Sequence, residues 1–262
     1  MHIELIKEEP VSDERPTPIL FVHGMWHAAW CWAEHFLPYF AHHGYRSYAL
    51  SLRGHGGSEG REGLRWMSLK DYVSDVDQAA SQMERPPVLV GHSMGGMIVQ
   101  KYLESNLAPA AVMLASAPPK GVLAATMRVF LRHPLIFMKA NLTLSMYPVV
   151  STEALTKEAF FSADMPEQKV REYFSRLQDE SYRAYLDMLG LNLPDSKAVK
   201  TPMLVLGAAR DAIISPLEVE HTARAYDTKA EIFPDMAHDM MLDRGWETVA
   251  ERILNWLREQ GL

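Results

Sequence analysis

The chain of 262 residues has one cysteine, Cys31, which excludes an internal disulfide and sets the expectation of a cytoplasmic protein. It has no basic cluster either. Lysine and arginine number 26 against 33 aspartates and glutamates, a formal charge of −7, so a nucleic-acid partner is not expected. Long apolar runs are also missing, because the most apolar part of the middle region is cut by Arg128, Arg132, His133 and Lys139. No integral membrane segment is expected, although interfacial contact by that region remains open. The start, Met1-His2-Ile3-Glu4-Leu5-Ile6-Lys7, reads as a strand, with neither a basic n-region nor an apolar h-region. No pair among the 11 histidines has the spacing and carboxylate company of a metal site such as H-E-x-x-H, so no metal is expected.

With hydrophobic residues at 48% and no low-complexity run, the chain can bury a large core and reads as one globular unit with an insertion. It is organised around Gly91-His92-Ser93-Met94-Gly95. The apolar run Val88-Leu89-Val90 leads into this pentapeptide and a helical pattern from Met94 to Glu104 leaves it, so G-x-S-x-G falls at a strand-to-helix turn. There the serine is forced into strained backbone geometry, the two glycines let helix and strand approach, and orphan N–H groups of the helix face developing negative charge. Ser93 is therefore the candidate nucleophile.

Other strands alternate with helices around it. A polar loop from Glu8 to Pro18 precedes a buried strand, Ile19–Val22, which ends at His23-Gly24-Met25; a helix then runs to about His43, with Gly44 as its cap. Tyr45–Leu50 is the next strand and delivers Arg53-Gly54-His55-Gly56-Gly57-Ser58, and a helix capped by Ser68 follows to about Glu84. Further strands are predicted at Ala111–Ala115, Met203–Gly207 and Ala230–Phe233, and a closing amphipathic helix at Trp246–Leu257. This is the pattern of a mostly parallel α/β sheet with helices on both faces. Between Pro118 and Pro202 the alternation lapses into helices broken by Pro134, Pro148, Pro166 and Pro194. We expect a core of residues 1–117 and 202–262 and an inserted helical cap over 118–201. The cap is rich in large flexible and aromatic side chains, and the expected substrate-binding set is Trp26, Met127, Phe130, Met138 and Met146.

An alkyl hydroxyl needs a base within reach, and the base needs an orienting carboxylate. Functional groups of open parallel sheets gather at the carboxyl ends of strands. The strand ending at Gly207 feeds a loop with Asp211, and the strand ending at Phe233 feeds one with His238, giving the order Ser, Asp, His. Asp235 and Asp239, on the histidine's own loop, are the weaker alternatives for the acid. For the oxyanion hole, Met94 N–H is favoured by its place at the start of a helix, and Met25 N–H by the turn that Gly24 allows.

These motifs, His23-Gly24, Arg53-Gly54-His55-Gly56, Gly-His-Ser-Met-Gly, Asp211 and His238, in this order, resemble those of the α/β-hydrolase superfamily over nearly the whole chain outside the cap. Within it, His27-Ala28-Ala29-Trp30-Cys31-Trp32 and Ala237-His238-Asp239-Met240-Met241-Leu242 are similar to plant methylesterases and hydroxynitrile lyases, and to bacterial carboxylesterases and monoacylglycerol-lipase-like enzymes. Ala237 stands where glycine often precedes the histidine of the family. The resemblance implies an α/β-hydrolase fold and a serine hydrolase acting on small to medium carboxylic esters without a cofactor. It also implies that His23 and His55 hold loop backbone by hydrogen bonds. A serine at 93 argues against dehalogenase and epoxide-hydrolase chemistry. Thioesterase, lactonase, C–C hydrolase, perhydrolase and hydroxynitrile lyase remain open, as does a ligand receptor that keeps the triad.

Overall fold

In the computed structural model, which describes residues 1–11 and 13–262, seven strands form one sheet in the order β1-β3-β2-β4-β5-β6-β7. They are β1 (Leu5–Glu8), β2 (Arg15–Val22), β3 (Tyr45–Leu50), β4 (Val88–His92), β5 (Ala111–Leu114), β6 (Met203–Ala208) and β7 (Ala230–Phe233). Only β1 runs antiparallel to its neighbour, with Leu5 opposite Leu50; every other pair is parallel. The strand at the amino end is thus a single one, four residues later than Met1. The loop expected over Glu8–Pro18, of which Ser12 lies outside the described residues, is shorter than expected, because β2 already pairs at Arg15 and resumes its register at Ile19. Pro16 and Pro18 interrupt the ladder between them, having no N–H to donate.

Strand order decides where a site can form. The chain leaves β2 toward β3 on one side and returns to β4 on the other, with Val22 beside Gly91 in the register. Loops from the carboxyl ends of β2 and β4 therefore diverge and leave a crevice between them. Central strands β4 and β5 are buried at every residue, as strands covered on both faces must be.

The helices follow the predicted order with instructive differences. One helix expected up to His43 is two, α1 (Trp30–Ala33) and α2 (Phe36–His42). Pro38 has no N–H for a bond back to residue 34, so the chain restarts a helix at Phe36 with the proline in its first turn. The third helix, α3 (Leu69–Ala80), has the expected cap: Ser68 Oγ accepts from Asp71 N and the Asp71 carboxylate accepts from Ser68 N. It ends four residues early, where Gln82 and Met83 tighten into i→i−3 bonds. Helix α4 (Met94–Tyr102) follows the elbow. Between β5 and β6 lie α5 (Leu123–Arg132), α6 (Pro134–Thr143), α7 (Glu153–Phe160), α8 (Glu167–Phe174) and α9 (Tyr182–Leu186). Helix α10 (Pro216–Ala225) joins β6 to β7, and α11 (Trp246–Glu259) closes the chain. No helix among the described residues is long and apolar enough to cross a membrane.

The tightest packing in this arrangement is backbone on backbone. A Cβ on Gly95 would stand 2.5 Å from His23 O and closer still to Val22 O, and one on Gly91 would stand 2.6 Å from Gly96 Cα. Main-chain atoms of a central strand have nowhere to go. Gly95→Ala should therefore destabilise the fold by about 1–3 kcal/mol or more, the range of overpacked cores. Urea denaturation checks this, and a midpoint unchanged from wild type would contradict it.

Candidate active site

Ser93 sits between β4 and α4 with φ 52° and ψ −120°. That is a strained conformation for a residue with a side chain, and it persists because neighbours hold both its peptide groups. Ser93 N donates to Leu114 O at 3.1 Å, while Ser93 O accepts from Ala117 N and Gly96 N, both at 3.0 Å. Met94 is the first helical residue, so its N–H has no acceptor within the helix.

The loop after β2 is pressed against this elbow. A Cβ on Gly24 would lie 2.9 Å from both Ser93 Cβ and His92 Nδ1, so only glycine lets the chain pass. His23 sets the direction of the next peptide: Leu52 N donates to its Nε2 at 3.0 Å, which leaves Nδ1 to donate to Gly24 O at 2.8 Å. Because Gly24 O and Met25 N–H belong to one trans peptide and point oppositely, this bond also aims Met25 N–H. Burial, and then the neighbouring His55 ring, hold the His23 pKa well below the ordinary value, so the ring stays neutral in this role. Met25 O in turn receives a bond from His27 Nδ1 at 2.8 Å.

His238, on the loop after β7, donates from Nδ1 to Asp211 Oδ2 at 2.7 Å. The other oxygen, Oδ1, accepts from Ile213 N and Ile214 N at 2.7 and 2.8 Å, which fixes the carboxylate plane. His92, the residue before Ser93, donates from Nε2 to His238 O at 3.0 Å, and the two rings lie 4.7 Å apart. The loop bearing His238 is therefore tied directly to the elbow. Burial works against a charged His238, but the contact with Asp211, and then Asp239, outweigh it and raise its pKa. For His92, burial and then the neighbouring His238 ring outweigh the more distant Asp239 carboxylate and lower its pKa to about 3.

The alternative carboxylates are placed elsewhere. Asp235 is exposed and pairs with Arg210 at 2.5 Å. Asp239 is fully buried on the far side of the loop, with Oδ2 3.0 Å from His27 Nε2 and Oδ1 3.8 Å from His92 Nε2. Nothing in the sequence marked the Asp239–His27 pair, whose members lie more than two hundred residues apart. His55 is held by Arg53 O at 3.1 Å and by Glu180 of the helical segment, also at 3.1 Å. The ligand-type atoms of His92, His238 and Asp239 lie within 4.8 Å of one another.

Ser93, Met25, Trp26, Met94 and Met146 share one small cavity of about 70 Å³ with Val122, Ala125, Val129, Phe137 and Met188. None of its lining residues is charged. Beside it, sharing Trp26, Val129, Val149 and Ile213, opens a wider cleft of about 430 Å³ rimmed by Arg128, Leu131, Arg132, His133 and Glu158. Of the five expected substrate-binding residues, Trp26 and Met146 line the inner cavity. Met127, Phe130 and Met138 do not; they are exposed on the outer side of α5 and α6. The helical screw is the reason: Val122, Ala125, Thr126 and Val129 share one face of α5, which leaves 127 and 130 on the other, and on α6 it is Phe137 that turns inward.

A family model described as "Alpha/beta hydrolase family" matches residues 19–252. The monoacylglycerol lipase of Mycolicibacterium smegmatis is 26% identical over 226 residues, covering 80% of this chain and 77% of that protein. Other curated relatives are matched over only 24–39% of their own length. Among solved structures, an esterase from Exiguobacterium antarcticum superposes with a TM-score of 0.75 at 16% identity, covering 98% of this chain and 95% of that one. A bromoperoxidase from Bacillus anthracis gives 0.71 at 20% identity, with 98% and 96% covered. At these identities the structural likeness is one of fold alone.

The two buried rings at the elbow should titrate in opposite senses. By imidazole NMR, His238 should take up its proton at a pH above the ordinary 6.5, and Asp211→Asn should lower that midpoint. His92 should stay neutral from pH 8 down to about 5, two units above its own pKa. A wild-type His238 midpoint at or below 6.5, or a His92 signal that titrates in this range, would contradict the placement.

Proposed function

This chain belongs to the alpha/beta hydrolase family, and we propose that it is a serine hydrolase that cleaves small to medium, uncharged carboxylic esters through an acyl-enzyme on Ser93. One observation carries the reading: a strained Ser93 lines an uncharged cavity together with Met25 and Met94, and the loop tied to this elbow through His92 carries a histidine held by a carboxylate at 2.7 Å. The relative named as a monoacylglycerol lipase, matched over 80% of this chain, favours the same chemistry.

In this reading the neutral His238 withdraws the Ser93 hydroxyl proton as Oγ adds to the ester carbonyl. Charge collects on the former carbonyl oxygen, which the N–H groups of Met25 and Met94 receive. His238 then gives its proton to the departing alkoxide, leaving the acyl group on Oγ. Water, deprotonated by the same ring, attacks the acyl carbon; the second tetrahedral intermediate expels Ser93, which regains its proton from His238 as the acid leaves. Asp211 keeps Nδ1 protonated throughout and stabilises the imidazolium.

Cavity size orders the substrate. About 70 Å³ is small beside the roughly 300–1,000 Å³ of pockets that enclose drug-sized ligands, so a short apolar group enters the inner chamber. The bulkier side of the ester lies in the outer cleft. We propose that residues 118–201 act as the cap that forms both.

Ser93→Ala should abolish labelling by a fluorophosphonate and hydrolysis of p-nitrophenyl esters. A folded wild-type protein inert to both would favour a ligand receptor instead. Asp211→Asn should lower kcat about 10³–10⁴-fold, from the wrong tautomer and the lost charge. Met25→Ala should cost little, whereas Met25→Pro, which deletes the N–H, should lower turnover about a hundredfold. Equal activity of the two Met25 variants would remove this N–H from the oxyanion hole.

A further inference from the structure

The two helices that roof the Ser93 cavity carry an outer surface that the fold leaves uncovered. Helix α6 is apolar nearly all round, with Lys139 its only charged residue. A helix of that kind belongs in a protein core or against lipid, yet Leu135 and Leu142 are 78% and 82% exposed. Met138 and Lys139 stand on the same face, at the i+3 and i+4 positions from Leu135. On α5, Leu123, Met127, Phe130 and Leu131 are exposed as well. Seven of the 13 exposed large hydrophobic side chains of the described residues thus fall within these two helices. Phe130 and Phe137 meet edge to face at 5.4 Å and join them into one surface.

Charge indicates what covers it. From Ser105 to Thr152 there is no aspartate or glutamate, while Lys120, Arg128, Arg132 and Lys139 are all present, in a chain whose formal charge is −7. Arg128 and Arg132 pair with Glu218 and Glu158, which leaves Lys139 as the unpaired charge on the outer face of α6, and a second copy packed there by two-fold symmetry would bring like charges together with no acid on α5 or α6 to pair them. A negatively charged lipid surface would supply both the apolar phase and the counter-charge. The patch is continuous with the substrate path, because Leu131 and Arg132 also rim the outer cleft.

We propose that the outer face of α5 and α6 docks the protein on an anionic phospholipid surface and presents the mouth of the outer cleft to it. This docking is independent of which bond Ser93 breaks. The test is co-sedimentation of the Ser93→Ala protein, which leaves the lipid intact, with phosphatidylcholine vesicles and with vesicles containing about one third phosphatidylglycerol. The bound fraction should be about tenfold higher on the anionic vesicles and should fall in high salt. Leu135→Asp combined with Leu142→Asp should abolish binding, and Lys139→Glu alone should remove the anionic preference. In the Ser93-containing background, both variants should keep wild-type circular dichroism and wild-type turnover of a water-soluble short-chain ester. Protein left in the supernatant with both vesicle types overturns the proposal, as does binding unaffected by both sets of substitutions. A dimer in light scattering that the double variant converts to monomer would assign the face to a second copy. A wrong reading of Ser93 chemistry would show separately, as wild-type protein that fluorophosphonate does not label.

Discussion

Main chain meets main chain where the end of β2 crosses the start of α4, and the rest of the site depends on that contact. It is possible because Gly24, Gly91 and Gly95 offer no Cβ at points where one would stand within 2.9 Å of a neighbour. The closeness does two things at once. It forces Ser93 into a positive φ that lifts its hydroxyl off the sheet, and it brings the loop of Met25 alongside the first turn of α4. A side chain at any of the three glycines would push apart the Ser93 hydroxyl and the two N–H groups proposed to receive the oxyanion.

Around this contact the protein has buried an unusual number of histidines, and each is given one protonation role by its partners. His23 meets an N–H on one nitrogen and a carbonyl on the other, so a single neutral tautomer fits. His92 meets one carbonyl and is otherwise desolvated, and it too stays neutral. His238 and His55 face carboxylates and have raised pKa values despite complete burial. A charge taken out of water is tolerated only beside an opposite one, and this difference in partners separates the ring proposed to move protons from those that hold backbone. Asp239 extends the scheme: burial opposes its ionisation, but the His27 contact lowers its pKa and links the His238 loop to the carbonyl of Met25.

The helical segment works on two sides. Its inner face narrows the space over Ser93 to a small uncharged chamber lined in part by Met146 and Met188, flexible side chains that can yield to a ligand. The outer faces of α5 and α6 are apolar and carry no acid. Apolar residues on every side of α6 fit a helix used on both faces, one lining the cavity through Phe137 and the other turned to the surface proposed to cover it.

The sequence by itself determined the features that short stretches of chain impose. Period and punctuation located the seven strands, the Ser68 cap and the elbow, because glycine spacing and strand-to-helix context act within a few residues. The order of Ser93, Asp211 and His238 on the ends of three strands was legible for the same reason. Where the expectation had to reach across the fold, it was less complete. That Asp211 meets His238 while Asp235 faces solvent depends on the spacing of β6 and β7, and Asp239 turns toward His27 through contacts made nowhere near it in sequence. One residue of helical phase separates Phe137, which lines the cavity, from Met138, which does not, and composition assigns no phase. The break in the first helix was missed, although Pro38, which restarts it at Phe36, stood in the sequence. Local residue chemistry thus determined the elements and their caps, and tertiary structure decided which side chains of those elements meet, since that depends on rotations and distances that no single segment encodes.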